Sequence, residues 1–177
     1  MYNALINACV NGGEHKRAVE LLAQMQRERL RPDVITFSSL AKSPYAHKFL
    51  EMMQHMGIEP NSYTLSSVIA QETKRGAEHW ETSLALYNNA MESGEVTYAV
   101  TNAIIAALNK AGQWKRALNI FQHTPDAQMD GTSHSGAMYA ALRLKRYQDC
   151  LAIFDKARAR AAKSTNHHHH HHDHHDD

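Results

Sequence analysis

The chain has 177 residues, 43% of them hydrophobic and 21% charged, and it contains only eight glycines and four prolines. This composition excludes a mostly disordered protein, and the plentiful Ala, Leu, Met, Lys, Glu and Gln favour an all-α fold. No apolar run approaches the roughly 20 residues of a membrane-spanning helix, so we expect a soluble protein. Outside residues 164–177 the chain has 19 basic and 15 acidic residues, and this net charge of +4 is compatible with a polyanionic partner.

The first predicted element, residues 1–33, is a pair of helices joined by a tight turn. Apolar residues recur at helical spacing up to Cys9, and the cluster Asn11-Gly12-Gly13 then ends the first helix. The apolar stripe of the second helix consists of Ala18, Leu21, Leu22 and Met25. Pro32 closes the pair, because a proline disfavours helix in the residue before it.

The same pattern recurs along the chain and predicts five units, at about residues 1–33, 34–61, 62–97, 98–130 and 131–162. In the second unit the first helix lacks about seven residues, roughly two helical turns, and Pro44 is expected in the first turn of the following helix. The third unit has about two extra residues near Lys74–Ala77. The fourth unit aligns with the first without a gap.

A single helix pair cannot bury its apolar stripe, so we expect neighbouring pairs to stack into one core over residues 1–163. The predicted fold is an all-α, right-handed α-solenoid of antiparallel helix-turn-helix repeats, with a concave face lined by the first helices. Residues 164–177 contain eight of the 14 histidines and are expected to be a disordered His/Asp-rich tail. Clustered imidazoles bind transition metals, but an affinity tag or a low-complexity end is the simpler interpretation, and no metal site is predicted.

Residues Tyr2–Asp33, followed by Val34–Leu40, resemble the pentatricopeptide repeat. They have the Y-N-x-L-I opening, the glycine before the second helix, the A-x-x-L-L-x-x-M stripe and the P-D ending that leads into V-x-T-F. The related tetratricopeptide repeat differs in its Trp-Leu-Gly signature and its closing proline. The resemblance covers about residues 2–162, a partial array of about four to five repeats, and we expect further repeats upstream because the chain opens inside a repeat.

The resemblance implies that single-stranded RNA is the partner, with one nucleotide bound per repeat. In this family the fifth and the last residue of a repeat select the base, and the second residues of that repeat and the next sandwich it. On this sequence the base-reading residues are Asn3, Asp33, Ser38, Asn61, Ser66, Asn102, Asp130 and Ser135. The base-stacking residues are Ile35, Tyr63, Ala99 and Thr132.

The implied base preference differs between units. The pairs Asn3–Asp33 and Asn102–Asp130 are similar to those of uridine-preferring repeats, and Ser38–Asn61 resembles an adenine-preferring pair. The third unit ends on Thr97 in place of the family's aspartate, so no base is assigned to it. The predicted recognition site is therefore 5′-U-A-N-U-3′.

These residues also have a structural interpretation. Asn3 and Asn102 lie near helix starts, where asparagine is a good capping residue, and Asp33 follows a proline, as turn residues often do. The recurrence of an asparagine and an aspartate at the same repeat positions favours base reading over either role alone.

Catalytic motifs are absent from the sequence, which has no Gly-rich phosphate loop, GxSxG elbow or HExxH pair. The histidines before the tail are scattered and are interpreted as surface residues. We therefore predict that the protein is not an enzyme and needs no cofactor. The resemblance implies sequence-selective RNA binding that serves RNA processing, stability or translation in a mitochondrion or plastid.

A second interpretation is a protein–protein scaffold within a larger ribonucleoprotein assembly, such as an organellar ribosome. The irregular second and third units favour this scaffold, because an RNA-binding protein with only two clear pairs of base-reading residues has little sequence specificity. The recurrent Asn–Asp pairs favour RNA binding instead.

Overall fold

A computed structural model of the protein describes residues 1–169, with side chains described as far as residue 165. This part of the chain contains ten α-helices and no strand. In chain order the helices are α1 (Tyr2–Asn11), α2 (His15–Arg27), α3 (Val34–Leu40), α4 (Ala46–His55), α5 (Ser62–Arg75), α6 (Trp80–Ser93), α7 (Tyr98–Lys110), α8 (Trp114–His123), α9 (Gly131–Arg143) and α10 (Tyr147–His169). Each predicted unit therefore contains two helices.

The helices form two layers. The first helices of the pairs, α1, α3, α5, α7 and α9, pack side by side, and each second helix packs outside them against its own partner. Helices α4, α6 and α8 also contact the first helix of the next pair. The fold is an all-α solenoid of antiparallel helix pairs, in agreement with the stacking that the apolar stripes predict. None of the helices described is both long and apolar enough to cross a membrane.

The inner layer depends on small residues at the helix contacts. At Gly136 of α9, an added Cβ atom would lie 2.7 Å from Cγ2 of Ile105 on α7. One turn further along α7, the side-chain amide of Asn109 donates a hydrogen bond to the Gly136 carbonyl oxygen at 3.0 Å. The approach of α7 and α9 therefore requires a residue without a side chain at this position.

The second unit interrupts the regular stack. Helix α3 has only seven residues, and Pro44 lies in the turn before α4 rather than in the first turn of that helix, where it was predicted. The buried core divides here into two clusters. Phe37 and Leu40 belong to a cluster shared with the first unit, whereas Ala41 and Leu50 belong to one that extends to the last unit.

A buried carboxylate lies at the joint between the second and third units. Glu72 of α5 is 1% exposed and accepts hydrogen bonds from Arg75 at 2.9 and 3.1 Å. The imidazoles of His47 and His79 lie 3.9 and 3.8 Å from its oxygens. Because a buried charge is stable only when it is paired, these contacts compensate Glu72 where the regular helix packing is interrupted.

The structure corrects two predictions near the C-terminal end of the array, one about the tail and one about His134. Helix α10 continues to His169, so residues 164–169 of the predicted disordered tail are helical, while residues 170–177 lie outside the described part. The interpretation of the histidines as surface residues is wrong for His134, which is 2% exposed. Its ring meets that of Phe121 edge-on, with 5.2 Å between the centroids, because the packing of α9 on α8 covers both.

Three first helices begin at a side chain that caps them. The N-cap residues of α3, α5 and α9 are Asp33, Asn61 and Asp130. Asp33 accepts the backbone N–H of Thr36 at 3.0 Å, and the Thr36 hydroxyl accepts the backbone N–H of Asp33 at 3.2 Å. Asp130 and Ser133 form the same reciprocal pair. These bonds satisfy N–H groups that the first turn of a helix leaves without a partner.

We expect Gly136→Ala to destabilise the protein by about 1 kcal/mol, because overpacking against Ile105, at roughly 1–3 kcal/mol, exceeds the gain in helix propensity. The matched control is Gly131→Ala in the same helix, where a Cβ atom meets nothing within 4 Å. Urea unfolding measures the free energy of unfolding of both variants. Equal stability of the two variants would contradict the close approach of α7 and α9.

We expect Asp33→Asn to lower the free energy of unfolding more at neutral pH than in acid. The Thr36 backbone N–H is the main cause that holds the pKa of Asp33 below its ordinary value of 3.8. The carboxylate therefore stabilises the fold above about pH 4, and this contribution disappears as the pH falls through the lower pKa of the folded state. Asparagine caps a helix about as well as aspartate but does not titrate.

The measurement is the unfolding free energy in urea of wild type and Asp33→Asn at about pH 7 and pH 2. The variant should be less stable by under about 1 kcal/mol at neutral pH, and the difference should narrow in acid. Asp33→Ala, which cannot cap, should be the least stable of the three at neutral pH. A difference between wild type and Asp33→Asn that does not change with pH would refute the role of the carboxylate.

Candidate nucleic-acid interface

The base-reading residues predicted for the first unit are joined by a hydrogen-bonded triad. Asn3, on α1, donates from Nδ2 to Oδ1 of Asp33 at 3.3 Å, although the two residues are 30 positions apart. The Thr36 hydroxyl donates to Oδ1 of Asn3 at 2.6 Å. The capping box of α3 thus holds the Asn3 amide beside the Asp33 carboxylate.

The fourth unit repeats this triad. Asn102, on α7, donates from Nδ2 to Oδ1 of Asp130 at 3.0 Å. The Ser133 hydroxyl donates to Oδ1 of Asn102 and takes the place that Thr36 has in the first unit. An amide and a carboxylate therefore lie together at the same point of both units.

The second unit brings its predicted pair together through a third residue. The hydroxyl oxygens of Ser38 and Thr64 are 2.9 Å apart, and the Thr64 hydroxyl donates to Oδ1 of Asn61 at 2.9 Å. Ser38 is shorter than asparagine, so Thr64 bridges the distance between Ser38 and Asn61.

The other two predicted reading positions lack this arrangement. The Ser66 hydroxyl donates to the carbonyl oxygen of Tyr63 in its own helix at 3.0 Å, and Thr97 makes no side-chain capping bond to α7. The Ser135 hydroxyl donates to the Gly131 carbonyl oxygen at 3.0 Å. Among the described residues, the third and fifth units thus have no triad.

A groove of about 330 Å³ lies across the first helices of the first three units, α1, α3 and α5. It is lined by Asn3, Ala4, Asn7, Ile35, Ser38, Ser39, Lys42 and Tyr63.

Two predicted stacking residues, Ile35 and Tyr63, are 59% and 47% exposed although both are large and apolar. Of the other two, Ala99 is half-buried and Thr132 is exposed, and neither offers an aromatic face. The groove combines polar side chains with exposed apolar ones, as a site for a planar polar ring requires.

The carboxylates of the two triads remain ionised at neutral pH. Burial raises the pKa of Asp130, but hydrogen bonds from Asn102 and Ser133 outweigh it, and the pKa lies below its ordinary value. For Asp33 the Thr36 backbone N–H lowers the pKa most, and the Asn3 amide lowers it further. Both carboxylates are therefore hydrogen-bond acceptors, and the amides beside them have a second N–H to donate.

The sequence interpretation missed the residues that hold these sites together. Thr36, Thr64 and Ser133 are 0–1% exposed and each contacts the reading residue of the preceding unit. Their signal was present as a serine or threonine three positions after each N-cap, the spacing of a capping box. Lys42 was also missed, since it lies in the turn that follows the shortened α3.

No group of three or more His, Cys, Asp or Glu side chains suited to a metal ion occurs in the described part of the chain. Most of the His-rich segment lies outside that part, including all of residues 170–177.

Two family models match adjacent stretches of the chain. The model of the PPR repeat family matches residues 1–43, and a model described as pentatricopeptide repeat-containing protein matches residues 42–124. Together they cover well over half of the chain. The boundary between them falls in the second unit, where α3 is short.

The chain is similar to pentatricopeptide repeat-containing protein 10, chloroplastic, of Zea mays, with 30% identity over 77 residues, 39% of this chain and 10% of the relative. The crystal structure of the pentatricopeptide repeat protein PPR10 from maize has a TM-score of 0.67 at 21% identity and covers 90% of this chain and 24% of that one.

The structure of PPR10 in complex with an 18-nt psaJ RNA element has a TM-score of 0.62 at 21% identity, over 89% of this chain and 28% of that one. The chain thus spans about a quarter of these solved chains, and at this identity the likeness concerns the fold alone. From the two family models and the repeated motifs, the chain belongs to the pentatricopeptide-repeat family.

Proposed function

We propose that this chain is a sequence-selective module for single-stranded RNA, in which successive units each bind one base. The observation that carries the proposal is the repeated triad, because it holds an amide donor and a carboxylate acceptor side by side in the first and fourth units. A helix cap requires only the carboxylate and the hydroxyl, so capping alone does not account for the asparagine.

The triads suit the Watson–Crick edge of uracil. Uracil presents an N–H group beside a carbonyl oxygen, so the Asp33 carboxylate accepts from the N–H and the Asn3 amide donates to the carbonyl. Within the described residues the hydrogen bonds of Asp33 all end on Oδ1, which leaves Oδ2 for a ligand. The same chemistry applies to Asn102 and Asp130.

The second unit suits a base that is stacked as well as read. Ile35 and Tyr63 face the groove that contains Ser38, and aromatic stacking is worth roughly 1–3 kcal/mol per base in general. The hydroxyl of Ser38 and the amide of Asn61 both donate and accept, as the amino group and ring nitrogen of adenine require. The third unit has no triad, so we propose that its base is not selected, giving the core site 5′-U-A-N-U-3′.

The comparisons support an RNA partner and an organellar role. A PPR10 structure contains an 18-nt psaJ RNA element, and the Zea mays relative is described as chloroplastic. We propose that this chain acts without catalysis in the processing, stability or translation of RNA in a plastid or mitochondrion.

One observation favours a second function, a scaffold for other proteins in a ribonucleoprotein assembly. A groove of about 410 Å³ lies between α2 and α4 on the outer layer and includes the apolar side chains of Val19, Tyr45, Phe49 and Met52. The corresponding groove between α8 and α10 is lined by Gln, Lys, Arg and Asn side chains. An apolar patch on one outer groove is typical of a protein contact rather than an RNA contact.

The test is fluorescence anisotropy with labelled UAUU, its A-to-G and U-to-G variants, and the matching DNA, at one fixed salt concentration. We expect UAUU to bind best. Asn102→Ala should reduce the preference for uridine at the last position by about tenfold, since a good base contact contributes roughly 1–3 kcal/mol of discrimination. Asn3→Ala should have the same effect at the first position.

The matched control is Asn119→Ala, the same substitution on the exposed outer helix α8 of the same unit, which should bind like wild type. Both variants on the inner face keep the Asp–Ser or Asp–Thr capping box, so their thermal unfolding should resemble that of wild type. Equal binding of all the oligonucleotides by wild type would eliminate base reading and leave the scaffold as the better function.

A further inference from the structure

Lys42 is the cation of the groove that contains Ile35, Ser38 and Tyr63. It follows Ser38 by four residues, in the turn after α3, and both side chains line this groove. At the corresponding position the other units have Asn7, Ala70, Ala106 and Tyr139. A positive charge beside the predicted base-reading residue therefore distinguishes the second unit.

The shortened α3 fixes Lys42 in this place. The helix ends at Leu40, and the Ser43 hydroxyl donates to the Leu40 carbonyl oxygen at 2.7 Å from a fully buried position. The side-chain amide of Gln71 on α5 donates to the carbonyl oxygen of Lys42 at 2.9 Å. The backbone of Lys42 is thus anchored to both α3 and α5, and its side chain enters the groove between them.

The ammonium group of Lys42 has an aromatic partner but no carboxylate. Its Nζ lies 5.4 Å from the centroid of the Tyr63 ring, a cation–π contact. No acidic residue lines the groove, and none pairs with Lys42 among the described residues. An ammonium group that lines a groove without an opposing charge favours an anion as its ligand.

We propose that Lys42 binds the backbone phosphate of the nucleotide held between Ile35 and Tyr63, a proposal that rests on the RNA-binding function. Ser38, in the second half of α3, and Asn61, the N-cap of α5, meet the Watson–Crick edge. The ribose and phosphate then extend away from that edge, along the helices toward their C-terminal ends. Lys42 lies in that direction, two residues beyond the end of α3 and on the lining of the same groove.

A contact to phosphate adds affinity but not base selection. The second unit has the bulkiest stacking pair and the added charge, so it anchors the RNA backbone while the triads of the first and fourth units select bases. If Lys42 contacted the edge of the base instead, its removal would change which base is preferred.

The test measures binding of labelled UAUU and its A-to-G variant by wild type, Lys42→Gln and Lys42→Arg at several salt concentrations. Lys42→Gln should reduce the affinity for both RNAs about equally, by roughly fivefold near 0.1 M salt. Affinity should also fall less steeply with salt, with the negative slope of log affinity against log salt smaller in magnitude by about 0.7. Lys42→Arg should retain the wild-type slope.

The matched control is Lys48→Gln, the same loss of charge on the exposed outer face of α4, which should leave affinity and slope unchanged. RNA binding by wild type with an unchanged slope in Lys42→Gln would overturn the phosphate contact and leave the proposed function standing. A shift in base preference in Lys42→Gln would also overturn it, in favour of a base contact. No RNA binding by wild type would overturn the proposed function and this inference together.

Discussion

The side-chain N-caps of α3, α5 and α9 connect the stability of this protein with its proposed chemistry. Asp33 accepts the Thr36 backbone N–H, and the hydroxyl of Thr36 in turn reaches Asn3 on the preceding first helix. The carboxylate that begins one helix therefore also fixes the polar side chain of its neighbour. Because the same bonds recur at Asp130, the donors and acceptors of the inner face are arranged before any ligand arrives, which lowers the entropy that binding has to overcome.

The irregular second unit has consequences on both sides of the solenoid. The short α3 divides the apolar core, and the buried ion pair of Glu72 and Arg75 lies at the joint that results. On the inner face the same shortening brings Lys42 over Tyr63. On the outer face Tyr45 and Met52 border an apolar groove. The unit that deviates most from the repeat thus contributes a charge to the inner groove and apolar side chains to the outer groove that it shares with the first unit.

The inner and outer layers divide the proposed functions between them. First helices carry the triads and the groove with exposed Ile35 and Tyr63, which suit bases. Second helices carry the apolar stripes that hold the units together, and their outer faces are available for other contacts. RNA on the inside and a protein on the outside are therefore compatible. The base-reading test separates them because it compares substitutions in the inner layer with a control substitution in the outer layer.

The sequence by itself determined the helix pairs, their order and the recurrence of an asparagine and an aspartate in the first and fourth units, because helical periodicity, Gly and Pro breaks and N-cap residues are local signals. Only the tertiary structure decided that Asn3 meets Asp33 across 30 residues, that Thr36 and Ser133 complete the triads, and that Lys42 faces the groove. The burial of His134 and the helical start of the predicted tail were likewise missed. These features depend on distances between neighbouring helices, which packing sets and which no local pattern of residues contains.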